Sequence, residues 1–574
     1  MTPYLRLVVS VVAPSASVSP RAPLSAGRLI LAYCLTWALV HWFAYPNLDP
    51  YNDMLENFAW AQTFEWGTFK HPPLFVWVVQ AWFALMPHNV LAYKLLSYVN
   101  VAIGLWGVAA LARQMGLGRH ASSAVLLLLW TLPYTTLAAK FNANAVLLSV
   151  WPWTAVAWVA SLHHTGRRGL WASVALGGLG ALCMLGKYYS GVFLLSLFLA
   201  ALLRRDALRW FSSPRPYLAL LTLFVGLAPH AWWLWQNDFP TLRYAMDQGA
   251  GHMDWRSILH FAITPLTFGL VAWLSTLGVF AWQATDSTAE RPLWGRLGRA
   301  VGQLPRLALH SWRPQRWDDT LFWLAMLPGG LTLLAGVAEM AELSSPWAIP
   351  TIFALPLLWL RNLGRVTTPT RITPAPSPAP SPVTLRSLDA LNRAAWPVLI
   401  GVVLVGVVLT VQQARQGRRS YYEATEPAAE LMAAGWQQRH PDIPLGWTGG
   451  EWAENAMIAF YVSDRVRALP GRPDEWPTTL APHPNWVREG GLLICPRGPL
   501  PELKRHKTTT CELEAEAWLE QSGLPVQPHW VTAARTGWRF PQPMQFAWVV
   551  YDVLPGTATA KGGDFSPRGK HIKG

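Results

Sequence analysis

Residues 258–283 read ILHFAITPLTFGLVAWLSTLGVFAWQ and contain no Asp, Glu, Lys or Arg. A helix needs about 20 predominantly apolar residues to cross a bilayer, and this run exceeds that length. Comparable uncharged runs occupy residues 29–45 and 143–162. The chain has 574 residues, of which 52% are hydrophobic and only 14% are charged. This composition predicts an all-α polytopic membrane protein.

Apolar runs of this kind predict eleven spans, at residues 29–45, 89–112, 121–139, 143–162, 169–186, 189–203, 217–235, 258–283, 321–338, 346–360 and 396–412. The run at 72–86 is also apolar, but we expect it to lie along the membrane as a juxtamembrane helix. With that arrangement, alternate loops form two sets: one set taken together carries an excess of Lys and Arg, and the other set taken together carries an excess of acids. Basic loops face the cytoplasm. Counting 72–86 as a span would place them outside.

This topology divides the chain into regions on the two sides of the membrane. We expect a cytoplasmic N-terminal tail (1–28), a transmembrane domain (29–412) and a first outer loop (46–88). A Pro/Ser-rich cytoplasmic linker (366–384) precedes the last span, an outer domain (413–555) follows it, and a disordered tail (556–574) ends the chain. The first apolar run lacks a small-residue cleavage site, so we interpret it as a retained span. The expected location is a bacterial inner membrane.

The polar region after the last span predicts a small α/β domain on the periplasmic side. Helical spacing covers residues 425–440, with Thr425 as a possible cap, and a second helix covers 512–523. Apolar, β-branched and aromatic runs at 456–462, 490–496 and 546–553 predict strands. Cys495 and Cys511 can form a disulfide outside the cytoplasm, and two free thiols are the equal alternative.

Polar side chains from separate parts of the sequence gather at the outer face in this topology. They are Asp53, Glu56, Lys70, His71, Lys140, Asn142, Asn144, Lys187, Tyr188, Asn237 and Arg243. Ionisable groups at a membrane are costly unless they have a task. A transport path would place them near the middle of the spans, yet the spans are nearly free of charge. The pattern favours a reaction at the membrane surface on a lipid-linked substrate.

Each of these residues also has a structural interpretation. Asp53 either caps a short helix or accepts the proton of an attacking hydroxyl, and Glu56 either shares that face or is solvated. Lys70 and His71 precede Pro72-Pro73 and would suit a phosphate oxygen, with contact to anionic lipid as the alternative. Lys140, Lys187 and Arg243 are either interface anchors or ligands of the substrate.

The net charge of +14 does not indicate nucleic-acid binding, because the basic residues lie in short loops between spans. The sequence has no cluster of metal ligands, no phosphate-binding loop, no glycine-rich dinucleotide fingerprint and no Ser-His-Asp signature. No cofactor is therefore predicted. A divalent cation is not indicated, although the sequence leaves one possible.

Several motifs together resemble the bacterial relatives of the dolichyl-phosphate-mannose–protein mannosyltransferases, a superfamily that includes the aminoarabinose transferase of lipid A. The motifs are Asp53, the run Trp60-Ala61-Gln62, Gly67 with Phe69, His71-Pro72-Pro73-Leu74, KFNAN (140–144), GKYYSG (186–191) and PHAWWLWQNDFPTLRYA (229–245). The similarity covers roughly residues 29–250. It departs from the family at Met54, where the family usually has a Glu; Glu56 is the nearest acid.

The resemblance implies a GT-C fold and an inverting transfer of a sugar from a polyprenyl phosphate to an acceptor hydroxyl on the outer face. It implies Asp53 as general base, and Lys70, His71 and either Arg243 or Lys187 as ligands of the leaving phosphate. Lys140, Asn142, Asn144, Tyr188 and Asn237 would then contact the substrate. The acceptor would be a lipid, a glycan or a protein, which the outer domain could help to select.

Two other classes of function remain open at this stage. A flippase for a polyprenyl-linked sugar would carry polar groups inside the spans and show internal symmetry. A non-catalytic assembly protein would use the outer domain alone, and substitution of Asp53 would then have no effect.

Overall fold

A computed structural model describes residues 25–555 apart from 51, 250–254, 286–292, 339–342, 367–380, 452–453, 470, 472–488 and 504–507. Most of the predicted N-terminal tail, the centre of the predicted linker and the predicted tail 556–574 lie outside the described residues. Within the described part, the chain is mostly helical with one small sheet near its C-terminal end.

The α-helices are α1 (Ala26–Ala44), α2 (Asp53–Ala61), α3 (Leu74–Phe83), α4 (Val90–Gln114), α5 (Ala121–Leu128), α6 (Leu147–His163), α7 (Gly166–Gly186), α8 (Ser190–Leu202), α9 (Ala207–Phe211), α10 (Arg215–Gln236), α11 (Pro240–Gly249), α12 (Trp255–Ala284), α13 (Leu293–Ser311), α14 (Thr320–Val337), α15 (Leu355–Val366), α16 (Pro382–Arg415), α17 (Arg419–Tyr422), α18 (Thr425–Arg439), α19 (Met457–Tyr461), α20 (Leu500–Leu503) and α21 (Thr510–Gln521). Short 3-10 helices cover Gly118–His120, Leu132–Tyr134, Leu137–Ala139 and Ser345–Ala354.

Seven of the described helices are long and apolar enough to cross a membrane, namely α1, α4, α7, α10, α12, α14 and α16. An eighth span results if the bent segment from Gly118 to Ala139 is counted as one. The predicted spans 143–162, 189–203 and 346–360 coincide with shorter helical segments, so the count of eleven stays a prediction. Helix α3 has 10 residues and is about 15 Å long, half the hydrocarbon thickness.

Small residues let the central helices pack backbone against backbone. A Cβ atom added at Gly104 of α4 would lie 2.1 Å from the carbonyl oxygen of Leu148 in α6. At Gly177 of α7 it would lie 2.2 Å from the carbonyl oxygen of Ala219 in α10. Close approach of this kind drives helix association in lipid, where burial of apolar surface gives no net gain. It holds α6 against α4, and the loop that carries the KFNAN motif leads into the N-terminal end of α6.

The C-terminal domain is a five-stranded sheet covered by helices on both faces. Its strands are β1 (Leu445–Gly450), β2 (Arg467–Ala468), β3 (Gly490–Pro499), β4 (Pro528–Ala534) and β5 (Gln545–Val553), in the order β2-β1-β3-β5-β4. The first three strands are parallel, and β5 runs antiparallel to β3 and β4. Alternate residues of β3 pack under α18 and α19 on one face and under α21 on the other.

Two predictions for this domain are wrong. Residues 456–462 do not form a strand, because they contain helix α19. Four consecutive side chains of that helix are almost fully buried, so its sequence shows no helical period. Thr425 does not cap α18, since Ala424 precedes the helix and the Thr425 hydroxyl donates to Asn47 Oδ1 at 3.0 Å.

The C-terminal domain docks onto the loop between α1 and α4. The Gln62 side chain pairs with strand β2, donating to the Val466 carbonyl at 2.8 Å and accepting from the Ala468 N–H at 2.9 Å. Asn47 donates to the Ser420 carbonyl at 2.9 Å. The Phe58 ring of α2 meets Phe460 of α19 edge to face, with centroids 5.0 Å apart. Helix α2 is therefore held between the helical bundle and the C-terminal domain.

Cys495 of β3 and Cys511 of α21 form a disulfide, with their Cα atoms 5.7 Å apart. The bond ties the sheet to the helix that covers one of its faces. Cys34 and Cys183, within α1 and α7, are free and buried.

Removal of this disulfide should destabilise the C-terminal domain. The bond closes a loop with a sequence separation of 16 residues, for which loss of the crosslink costs about 3 kcal/mol. We expect Cys495→Ala/Cys511→Ala to be digested faster by limited proteolysis, and reductant to accelerate digestion of the wild type. The control, Cys34→Ala/Cys183→Ala, should keep its response to reductant. Equal digestion with and without the bond would contradict this role.

Candidate active site

The first turn of α2 presents two carboxylates, Asp53 and Glu56. The cap of this helix comes from another residue, Asp49, whose carboxylate accepts from the N–H groups of Asp53 at 3.2 Å and Met54 at 2.8 Å. Asn52, directly before the helix, has a left-handed backbone with φ of 57°. Since Asp49 satisfies the helix end, the interpretation of Asp53 as the cap is wrong, and its side chain is available for other contacts.

A second loop, between α5 and α6, also contacts Asp53. Lys140 Nζ lies 2.9 Å from Asp53 Oδ2, and Asn142 Nδ2 donates to the same oxygen at 3.1 Å. Asn142 is itself fixed, because its Oδ1 accepts from the N–H groups of Asn144 and Ala145 at 3.0 and 3.1 Å. The KFNAN motif is thus a turn that delivers one cation and one amide to the carboxylate.

The segment before α3 brings Lys70 and His71 to Glu56. Lys70 Nζ lies 2.6 Å from Glu56 Oε1. The Thr68 hydroxyl accepts from the His71 N–H at 3.1 Å, which holds this segment ahead of the two prolines. The His71 ring meets the Tyr244 ring edge to face, with centroids 5.7 Å apart.

Lys187 follows α7 and completes the group of charges. Its ammonium donates to Asn144 Oδ1 at 2.7 Å, and no carboxylate in the described part of the chain lies within ion-pair distance of it. Burial lowers the pKa of Lys187 to about 8, with Lys140 acting in the same direction and Asp53 opposing it. An ammonium held in this way has an unmet preference for a nearby anion.

Burial also shifts the pKa values of two neighbours. It raises the pKa of Glu56 to about 7, against the opposing effect of Lys70. It lowers the pKa of His71 to about 3, with Lys187 and Lys70 adding to the effect. His71 is therefore neutral at physiological pH, so the expected cationic pair of Lys70 and His71 contributes one charge and one neutral imidazole.

A cavity of about 150 Å³ lies among these groups. It is lined by Asp53, Glu56, Asn57, Trp60, Lys70, His71, Asn142, Ala143, Asn144 and Tyr244. A larger open cleft of about 400 Å³ lies between residues 86–88 and 460–464. It contains none of the residues predicted from sequence, so the smaller cavity is the candidate active site.

Five predicted site residues do not line this cavity. Two of them, Lys140 and Lys187, contact residues that do, namely Asp53 and Asn144. The other three are Tyr188, Asn237 and Arg243. The Tyr188 hydroxyl lies 2.7 Å from His230 Nε2, and His230 Nδ1 lies 2.6 Å from the Trp66 carbonyl oxygen. Asn237 directly follows α10 and donates its amide to the Trp233 carbonyl at 2.7 Å. Arg243 is exposed on α11. Tyr188 and Asn237 thus bond to the protein itself, and their expected contacts with substrate stay predictions.

Four further side chains line the cavity without having been predicted as site residues, and one of them is Ala143 of the KFNAN motif. Asn57 donates to the Phe141 carbonyl at 2.8 Å and so ties α2 to the second loop. Trp60 and Tyr244 contribute aromatic walls. Trp60 falls within the aromatic motif of the first loop, and Tyr244 falls within the motif at 229–245, so both motifs were usable signals. No group of metal-ligating side chains occurs among the residues that the structure describes.

Comparisons with known proteins agree with this architecture. Residues 70–233 match the family described as dolichyl-phosphate-mannose-protein mannosyltransferase. ArnT from Cupriavidus metallidurans is similar in structure, both bound to undecaprenyl phosphate (14% identity, TM-score 0.55) and in the apo state (13% identity, TM-score 0.56). Each alignment covers 91% of this chain and 97% of ArnT. No curated protein sequence matches the chain.

The matched family segment runs from Lys70, at the cavity, through the second loop and Lys187 to α10. The structural match extends over nearly the whole chain and includes the C-terminal domain. The chain is therefore a multi-pass membrane protein with the ArnT-like GT-C fold, and its resemblance to the mannosyltransferase superfamily is confirmed.

Proposed function

We propose that this protein transfers a sugar from a polyprenyl-phosphate donor to an acceptor hydroxyl at the outer face of a bacterial inner membrane. The observation that carries the proposal is the charge at and beside the cavity. Asp53 and Glu56 each pair with a lysine, whereas the half-buried Lys187 is bonded only to the neutral Asn144, a lining residue, among the described residues. A phosphate anion would compensate this charge. ArnT, which shares the fold, is known with bound undecaprenyl phosphate.

The donor phosphate would lie against Lys187 and Lys70, with His71 as a neutral hydrogen-bonding partner. As the bond from the sugar to the phosphate breaks, negative charge builds on the phosphate oxygens. Ammonium groups fixed in a partly buried site stabilise such charge without reorganisation. Arg243, exposed on α11, is left out of this set. The polyprenyl tail would lie between apolar helices.

Asp53 would act as the general base. Its carboxylate takes the proton of the acceptor hydroxyl while the acceptor oxygen bonds to the anomeric carbon. The bond from that carbon to the phosphate oxygen breaks, and the electron pair leaves with the polyprenyl phosphate. Attack from the side opposite the phosphate inverts the anomeric configuration. Lys140 and Asn142 hold the carboxylate through one oxygen, Oδ2.

Glu56 is the competing base, since a pKa of about 7 suits proton abstraction at neutral pH. Its carboxylate is more enclosed, however, with a side chain 12% exposed against 32% for Asp53, and it contacts Lys70 at 2.6 Å. We therefore assign Glu56 to fixing Lys70 and contacting the substrate. The flippase and the assembly protein remain the alternative functions, and both predict no covalent transfer.

The Asp53→Asn substitution should abolish transfer. It removes the proton acceptor but retains the shape of the side chain, and loss of a general base costs about 10²- to 10⁴-fold in kcat. The assay uses purified protein in vesicles with polyprenyl-phosphate sugars and a membrane extract, and measures release of polyprenyl phosphate. Asp442→Asn, an exposed site in the C-terminal domain, is the control. Undiminished release by Asp53→Asn together with loss in Glu56→Gln would move the base to Glu56.

Lys187 should control donor affinity and its pH dependence. The ammonium attracts phosphate only below its pKa of about 8, so we expect the donor KM to rise as pH increases through that value. Lys187→Met should raise the KM about 10- to 100-fold, as for loss of a charged hydrogen bond, and should flatten the pH profile in that range. Arg465→Met, at an exposed cation, should change neither. If the donor KM of Lys187→Met depends on pH as in the wild type, Lys187 is excluded as a phosphate ligand.

A further inference from the structure

Helix α4 carries a buried polar stripe that the apolar reading of this span overlooked. Tyr93, Lys94, Ser97 and Asn100 lie on one helical face, at the spacing that places side chains side by side, and each is at most 5% exposed. An ammonium inside a membrane helix is costly and usually marks a function. Lys94 is an exception among spans that were expected to be nearly free of charge.

Lys94 bonds to both loops that form the cavity. Its ammonium donates to the Leu48 carbonyl, and it donates to the Ala139 carbonyl at 3.2 Å. Leu48 directly precedes Asp49, the cap of α2, and Ala139 directly precedes Lys140. One cation therefore holds the chain immediately before each of the two segments that meet in the ion pair of Asp53 and Lys140.

The neighbours of Lys94 on the stripe reinforce the same two segments. The Tyr93 hydroxyl donates to the Met54 carbonyl at 2.9 Å, within α2. The Ser97 hydroxyl donates to the Ala139 carbonyl at 3.3 Å, and Asn100 donates to the Ala145 carbonyl at 2.7 Å. Every one of these bonds ends on a backbone carbonyl, so their effect is to fix where the loops run.

We propose that Lys94 is a positioning residue for the transfer reaction, which sets the distance between Asp53 and Lys140 by bonding the backbone ahead of each. The inference rests on the proposed function of the cavity. Lys94 does not line the cavity and touches no substrate in this account. It acts by holding the general base and its counter-ion in register.

The chain offers a matched control in Arg215. This residue is also a buried cation, 7% exposed, and its guanidinium donates to the carbonyls of Ser161 at 2.6 Å and His164 at 2.8 Å. Those carbonyls lie at the C-terminal end of α6, whereas the cavity loop enters its N-terminal end, about 25 Å away along the helix. Loss of Arg215 therefore tests the general cost of removing a buried cation.

The test compares Lys94→Met with Arg215→Met in the full-length protein in vesicles. Met keeps the length of the lysine side chain but removes its charge and donors. We expect kcat to fall about 10- to 100-fold in Lys94→Met, as for a small misplacement of reacting groups, with the donor KM within about twofold of wild type because the phosphate ligands are retained. Arg215→Met should keep kcat and lower only the melting temperature.

Hydrogen exchange gives a second readout that does not depend on activity. The N–H groups of Asp53 and Met54 bond to Asp49, and loss of Lys94 should loosen the chain there. Peptides covering residues 48–58 and 139–146 should therefore exchange faster in Lys94→Met than in the wild type. Their exchange rates should be unchanged in Arg215→Met. If the wild type shows no transfer, the proposed function is wrong. The hydrogen-exchange rates still show in that case whether Lys94 holds the two segments in place. An unchanged kcat with unchanged exchange in Lys94→Met, or an equal loss of kcat in Arg215→Met, would overturn the inference.

Discussion

The ion pair between Asp53 and Lys140 is the interaction on which the cavity depends, because it joins two loops that are far apart in sequence. The attraction between two opposite charges becomes stronger as water is excluded from around them. Here both side chains are about one-third exposed, so water weakens the attraction. At that exposure the pair alone cannot hold the loops. The surrounding structure supplies the rest of the constraint through the Asp49 cap, the turn at Asn142 and the bonds from α4.

The C-terminal domain contributes to the same constraint from the other side. It bonds the chain before α2 at Asn47 and after α2 at Gln62, and it packs Phe460 against the middle of that helix. The resemblance to the family suggested a role for this domain in selecting the acceptor. Its contacts give it a mechanical role as well, since a shift of the domain would displace the helix that carries Asp53 and Glu56. Catalysis and acceptor recognition would then be coupled through α2.

Sequence reasoning placed a span on each of the seven long apolar helices, because a bilayer demands long uncharged runs. It did not give all of their ends, since α16 begins at Pro382 and the span was predicted from residue 396. It also brought together Asp53, Lys70, Lys140, Asn142 and Lys187 from separate segments, through topology and the family motifs. It did less well where the type of a residue does not reveal which way its side chain points. Asn237 and Arg243 lie in a motif of the family, but one bonds its own helix and the other is exposed. Lys94 was overlooked because one lysine barely alters the hydropathy of a 25-residue helix.

The most direct test of this account is an experimental structure of the protein reconstituted with polyprenyl phosphate. The account predicts phosphate density in the cavity beside Asp53, within hydrogen-bonding distance of the ammonium groups of Lys187 and Lys70, with the polyprenyl chain leading away between apolar helices. Phosphate density at another place on the protein, with the cavity free of it, would contradict the account.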